Sequence, residues 1–213
     1  MTERYSGYDV MSKRNGPSWN DKTRQVVDDR LATPRGPRFF SETEYRTVES
    51  LADRIVPQPH RVDPIPVADL VDARLLAGGQ DGFRHLGMPP PGEAWRRALA
   101  ALDAEAQAAH GANFRHLSSP DRDGLLHCMH EGRLDHPAWQ GMSSQLVFTQ
   151  LVAKDIVFAY YAHPTAWSEI GWGGPASPRG YVRTGYDRRD PWEAAEVKDG
   201  DAAAAIRKNR RVR

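Results

Sequence analysis

The residues that could do chemistry are few and scattered. His127-Cys128-Met129-His130-Glu131 is the densest run. His127 and His130 stand three apart, on neighbouring positions of a helix, and with Glu131 they could share a metal in a hydrolase. The order is not the H-E-x-x-H of a metalloprotease, so a solvated helix surface is the plainer reading. Cys128 is the sole cysteine, which rules out an intrachain disulfide, and without C-x-x-C-H there is no attachment site for c-type haem. Asp155 lies in an apolar stretch whose burial would raise its pKa. A buried ion pair or hydrogen bond explains it without a reaction, and nothing in the order of residues puts a second reacting group beside it or beside Glu169. Gly171-Trp172-Gly173-Gly174 lacks the third spaced glycine of a dinucleotide loop and follows a helix rather than a strand. These readings assign no catalytic, cofactor-binding or metal-binding residue to the chain.

The elements that would carry these residues are helices. Ser41-Glu42-Thr43-Glu44 reads as a capping box, with Tyr45, Val48, Ala52 and Ile55 recurring on one face until Pro57. Pro66 suits the first helical position ahead of Val67, Leu70, Val71 and Leu75, and Gly78-Gly79 closes that helix. Pro91–His110 carries Trp95, Leu99, Leu102 and Ala106 and stops at Gly111. A short helix after Ser119-Pro120 presents Leu125, Leu126, Cys128 and Met129 before Gly132. Leu146–Ala162 is apolar on nearly every side, which predicts a buried helix, ended by Pro164. Ser18 could cap a further short helix through Leu31 with a thin apolar face. No strand pattern occurs. The predicted fold is all-α, a bundle of about five helices with long coil arms at both ends. The expected divisions are an N-terminal arm over 1–38, the bundle over 39–163, an aromatic, Gly- and Pro-rich coil over 164–195, and a basic disordered tail over 196–213.

Composition supports a core for the middle of the chain only. Hydrophobic residues make up 39% of the 213 residues, and mean hydropathy is −0.66. The net charge is +1, but Arg207, Lys208, Arg210, Arg211 and Arg213 place five cations in the last seven residues and leave −4 elsewhere. A helical nucleic-acid-binding module using this tail is therefore one alternative function, and a stand-alone metal-dependent hydrolase is another. A solvated tail with no nucleic-acid partner is the preferred reading. Met1–Leu31 has no apolar run of the kind found in a signal peptide, which predicts a cytoplasmic protein, or a periplasmic one if an exported partner carries it. Leu146–Ala162 is short for a membrane span and contains Lys154 and Asp155, so direct membrane insertion is not expected.

The coil after this helix is distinctive. Thr165–Gly180 holds two Trp, four Gly and two Pro. It is too irregular for a helix, and exposed aromatics on a stiff coil suit contact with a large partner. The segment from Ala162 to Ala176, AHPTAWSEIGWGGPA, resembles the terminal motif of the gluconate 2-dehydrogenase subunit 3 family. The resemblance runs best from about Phe39 to Tyr181 and takes in Phe114, Leu117 and Gly132. It implies a small, non-catalytic accessory subunit. The partner would be a flavoprotein large subunit of the glucose-methanol-choline type, oxidising sugars, sugar acids or glycosides, with a cytochrome c subunit as a further candidate. FAD would lie in that partner and not in this chain. The implied interface is Tyr161, His163, Pro164, Trp167, Ile170, Gly171, Trp172, Gly173, Gly174, Pro175, Arg179 and Tyr181, with Trp167 and Trp172 as anchors; the alternative is that the coil caps its own bundle.

Overall fold

The computed structural model describes residues 4–59, 61–177, 180, 193–198 and 200–212. Among these, nine α-helical segments and no strand are formed. They are α1 (Asp21–Leu31), α2 (Glu42–Ile55), α3 (Val67–Leu76), α4 (Pro91–His110), α5 (Ser119–His130), α6 (Ser144–Val147), α7 (Ala153–Ala162), α8 (Pro164–Glu169) and α9 (Ala202–Asn209). A π-helical turn, Phe148–Val152, joins α6 to α7 in one rod, so the separate helices number eight and exceed the expected five. The chain divides into two compact units, Thr33–Tyr160 and the combination of Met1–Ala32 with Tyr161–Arg213.

The Thr33–Tyr160 unit contains the five helices that periodicity predicts. Ser41 and Glu44 close the capping box in both directions: Glu44 N–H donates to Ser41 Oγ at 3.3 Å and Ser41 N–H to Glu44 Oε2 at 2.8 Å. Pro66 sits one residue earlier than expected, at the N-cap of α3. Gly111 caps α4 at φ 71°, the left-handed conformation that costs glycine least. The core is built from Val48, Leu51, Val71, Trp95, Leu102, Phe114, Met129 and Ile156, each almost fully buried.

Three buried carboxylates tie the helices together. Asp72 of α3 accepts backbone N–H groups from Arg38, Phe39 and Phe40 at 3.0–3.1 Å. Asp69 accepts from Tyr45 Oη and Gly36 N–H, each at 2.7 Å. Asp155 of α7 accepts from Trp95 Nε1 at 2.9 Å and pairs with Arg74 at 2.5 Å, joining α3, α4 and α7. The apolar helix thus hides its carboxylate in an ion pair, the structural role that the sequence favours over a catalytic one.

The rod of α6 and α7 departs from the all-round burial expected of Leu146–Ala162. Its buried apolar positions are Val147, Leu151, Val152, Ile156 and Tyr160, while Phe158 is left 62% exposed. Thr149 Oγ1 donates to Gln145 O at 2.9 Å within the π turn. Among the described residues no helix is long and apolar enough to cross a membrane.

The unit made from both chain ends overturns the expectation of coil arms and a disordered tail. A 3₁₀ turn, Val10–Lys13, and α1, α8 and α9 are formed there. Asn20 rather than Ser18 caps α1, accepting from Thr23 N–H at 2.9 Å. The ends share one apolar cluster of Tyr5, Tyr8, Val10, Trp19, Val27, Trp167, Ala194 and Val212. Asn209 at the end of α9 is 1% exposed; it accepts from Ala195 N–H at 2.7 Å and donates to Ser6 O at 3.1 Å.

Replacing Asp155 tests the buried pair. Asp155→Ala strands the Trp95 N–H and half-frees Arg74, and should cost about 3 kcal/mol in denaturant titration, the low end for breaking such a pair because Arg74 keeps Asp81. Burial raises the Asp155 pKa, opposed by its Trp95 and Arg74 bonds. The proton-linked stability is then complete below the unfolded carboxyl pKa and lost as pH rises through the folded one. Relative to Asp155→Asn, the wild-type chain should lose stability as pH rises above the ordinary carboxyl range.

Candidate partner-docking edge

The aromatic segment begins where α7 ends. The last carbonyls of a helix lack intrahelical donors. Here Tyr161 O accepts from Trp167 Nε1 at 2.6 Å and Ala162 O from an Arg30 guanidinium N–H at 3.0 Å. Arg30 also places its charge 5.9 Å from the Trp167 ring centroid. A cation at a helix C-terminus is favoured by the macrodipole, a place that a histidine beside the last turn could also fill. Burial pulls the Arg30 guanidinium below its ordinary pKa. His163 instead caps the next helix, its Nδ1 accepting from Thr165 N–H at 3.4 Å.

Pro164 opens α8 as its first residue, so the expected coil starts with a helix of six residues. Pro at this position is compatible with helix because its missing N–H would have been an orphan. α8 turns Ala166 and Trp167 inward, Trp167 to 2% exposure. The two tryptophans therefore differ in kind. Trp167 is core, whereas Trp172 is 41% exposed and meets the Trp167 ring edge-on, with centroids 5.0 Å apart and planes at 84°.

The backbone around Trp172 is held from several sides. Its N–H donates to Trp167 O at 2.9 Å, and its carbonyl accepts from Tyr8 Oη at 3.0 Å. Lys13 Nζ donates to Gly173 O. Ser168 Oγ accepts from Val10 N–H at 3.1 Å. Further along, Asn20 N–H donates to Ser177 O at 2.9 Å and Ser177 N–H to Ser18 O at 2.8 Å.

Two glycines have an intramolecular purpose here. Gly171 has φ +67°, and a Cβ there would lie 2.5 Å from the Tyr5 ring. Gly174 has φ +70°, and its Cβ would come within 3.0 Å of Val10 and 3.2 Å of Trp19. The close approach that glycine permits is thus used by this chain's own N-terminal segment, where the sequence suggests a partner's surface.

The expected interface is divided accordingly. Tyr161 and Ile170, each 45% exposed, and Trp172 are open. His163, Pro164, Trp167, Gly173 and Gly174 are buried, and Gly171 and Pro175 are half-buried. Arg179 and Tyr181 lie outside the described residues. Tyr5, Tyr8, Lys13 and Arg30 take part in the site without being foreseen. The signal for the first two was an aromatic content that an unpacked arm has no use for.

The other candidates belong to the Thr33–Tyr160 unit. His127 Nε2 lies 3.3 Å from Glu131 Oε1, and Glu131 also pairs with Arg133. His130 packs edge-on against Phe148 with centroids 5.6 Å apart. Among the described residues no three His, Cys, Asp or Glu side chains are grouped to hold a metal ion.

Fold and site describe an all-α protein that gathers both chain ends around an aromatic segment and leaves part of that segment open. The chain belongs to the gluconate 2-dehydrogenase subunit 3 family, whose family model matches residues 42–174. No curated protein and no solved structure matches it.

Gly171→Ala should cost roughly 1–3 kcal/mol from the positive φ alone, with further loss from the Tyr5 contact. Thermal melts should show the loss, and a protease should cut near Tyr5 sooner in the variant than in the wild type.

Proposed function

We propose that this chain is the non-catalytic small subunit of a flavin-dependent dehydrogenase and docks on its large subunit through the edge formed by Tyr161, Ile170 and Trp172. The large subunit holds FAD and oxidises the hydroxyl of a sugar, sugar acid or glycoside. The small subunit stabilises it. Membership of a dehydrogenase subunit family supports the general reading. The observation that carries the docking edge is Trp172, a large aromatic 41% exposed on a backbone already fixed by hydrogen bonds at both its N–H and its carbonyl. Such a side chain loses little conformational freedom on docking, and tryptophan is enriched among the residues that dominate interfaces.

The two tryptophans give the test. Trp172→Ala should weaken association with the co-expressed large subunit by roughly 2–4 kcal/mol, the hot-spot range, and leave the melting temperature of the isolated chain nearly unchanged. Trp167→Ala should destabilise the isolated chain by roughly 3–5 kcal/mol, as for any buried aromatic. Thermal melts beside titration calorimetry with the large subunit separate the two effects. Full affinity in Trp172→Ala would sink the docking edge.

A further inference from the structure

The N-terminal segment lies outside the stretch matched by the family, 42–174, yet it supplies the partners of that stretch's last residues. It reaches them as a defined structure. Asp9 accepts from Met11 N–H at 2.9 Å and caps the 3₁₀ turn Val10–Lys13, which Arg14 N–H closes on Met11 O at 3.0 Å. The C-terminal segment holds the same residues from elsewhere. Ser12 Oγ donates to Val212 O at 2.8 Å, Asn209 donates to Ser6 O at 3.1 Å, and Val197 N–H donates to Arg4 O at 3.0 Å.

We propose that Tyr5–Lys13 is a positioning strap that fixes the backbone of Gly171–Gly174 so that the Trp172 indole is ready for the large subunit, with Tyr8 and Lys13 as its positioning residues. The proposal rests on the docking role of Trp172 given above. Three features carry it. The strap's polar contacts to this loop fall on backbone carbonyls, Trp172 O from Tyr8 and Gly173 O from Lys13. They therefore restrain the main chain without engaging the indole, which stays 41% exposed. The strap's apolar contacts fall on the two glycines at positive φ, with Tyr5 over Gly171 and Val10 over Gly174. Glycine has the most backbone freedom to lose, so these are the positions where restraint matters most. Ordering a residue's backbone costs about 1–2 kcal/mol. A loop ordered during folding does not incur that cost again on docking, which is how preorganisation raises affinity. Finally, Lys13 is 1% exposed. Its ammonium is buried where it can hold Gly173 O and is not left in solvent to serve solubility.

The test uses the full chain. Tyr8→Phe removes one hydroxyl and keeps the ring in its cluster, and Lys13→Met removes the donor and keeps most of the stem. Each should weaken the near-ultraviolet circular dichroism of the edge-on Trp167–Trp172 pair and lower affinity for the large subunit about ten-fold, the scale of one lost hydrogen bond. Melting temperature should change little in Tyr8→Phe. Tyr5→Phe, which leaves the hydroxyl and ammonium contacts in place, should keep the wild-type spectrum. An unchanged aromatic spectrum and unchanged affinity in both Tyr8→Phe and Lys13→Met would overturn the strap. Retained affinity in Trp172→Ala would instead remove the docking role, while the spectrum of Tyr8→Phe would still report on the strap.

Discussion

The burial of Trp167 is the constraint on which the organisation of both chain ends depends. An indole of this size must be covered on both faces, and its N–H must find an acceptor. The six residues of α8 cannot provide that cover. The acceptor comes from the end of α7, the cation over the ring from α1, and the apolar cover from Tyr5, Val10 and Trp19 near the start of the chain. A residue in the last quarter of the sequence thereby gives order to the segment from Tyr5 to Trp19. Trp172 inherits its position from the same arrangement, since its ring rests against the edge of Trp167 and its N–H on the Trp167 carbonyl.

The helical unit is fixed by a different kind of interaction. Its apolar faces bring helices together, but apolar contact does not distinguish closely similar packings. Asp69, Asp72 and Asp155 do, because a buried carboxylate must meet its donors at hydrogen-bond distance. Asp72 grips three successive backbone amides ahead of α2, and Asp155 joins an arginine of α3 to a tryptophan of α4. Carboxylates of the kind that elsewhere serve as acid–base groups are thereby committed to holding the fold. This fits the accessory role proposed for the chain.

The family stretch and the segments beyond it have distinct parts in this arrangement. Residues 42–174 include the helices of one unit and the aromatic segment of the other. The segments before and after that stretch supply Tyr8, Lys13, Asn209 and Val212, which complete the unit around Trp167 and Trp172. On the docking role proposed for Trp172, holding the few contacting residues still favours affinity, because area alone does not set it.

By itself the sequence determined what local pattern can carry. The Ser41–Glu44 box, the stops at Pro57 and Gly111, the five periodic helices and the all-α class follow from caps and apolar spacing within a few residues of one another. The aromatic segment was also legible as belonging to the family's stretch, but not the helix α8 with which it begins. Tertiary structure alone decided which tryptophan is core and which is open. Both stand in a Gly- and Pro-rich stretch with no periodicity to assign a face, and the burial of Trp167 depends on residues roughly 150 to 160 positions away, Tyr5, Val10 and Trp19. The same reason hid the order of the arms and of α9. Val26, Val27 and Leu31 offered too thin a face to predict a packed element, and the aromatics of the first nineteen residues find their cover only when the other end of the chain returns to meet them. The π turn likewise has no local signal, because an apolar helix reads alike at either pitch until its neighbours select which residues face inward.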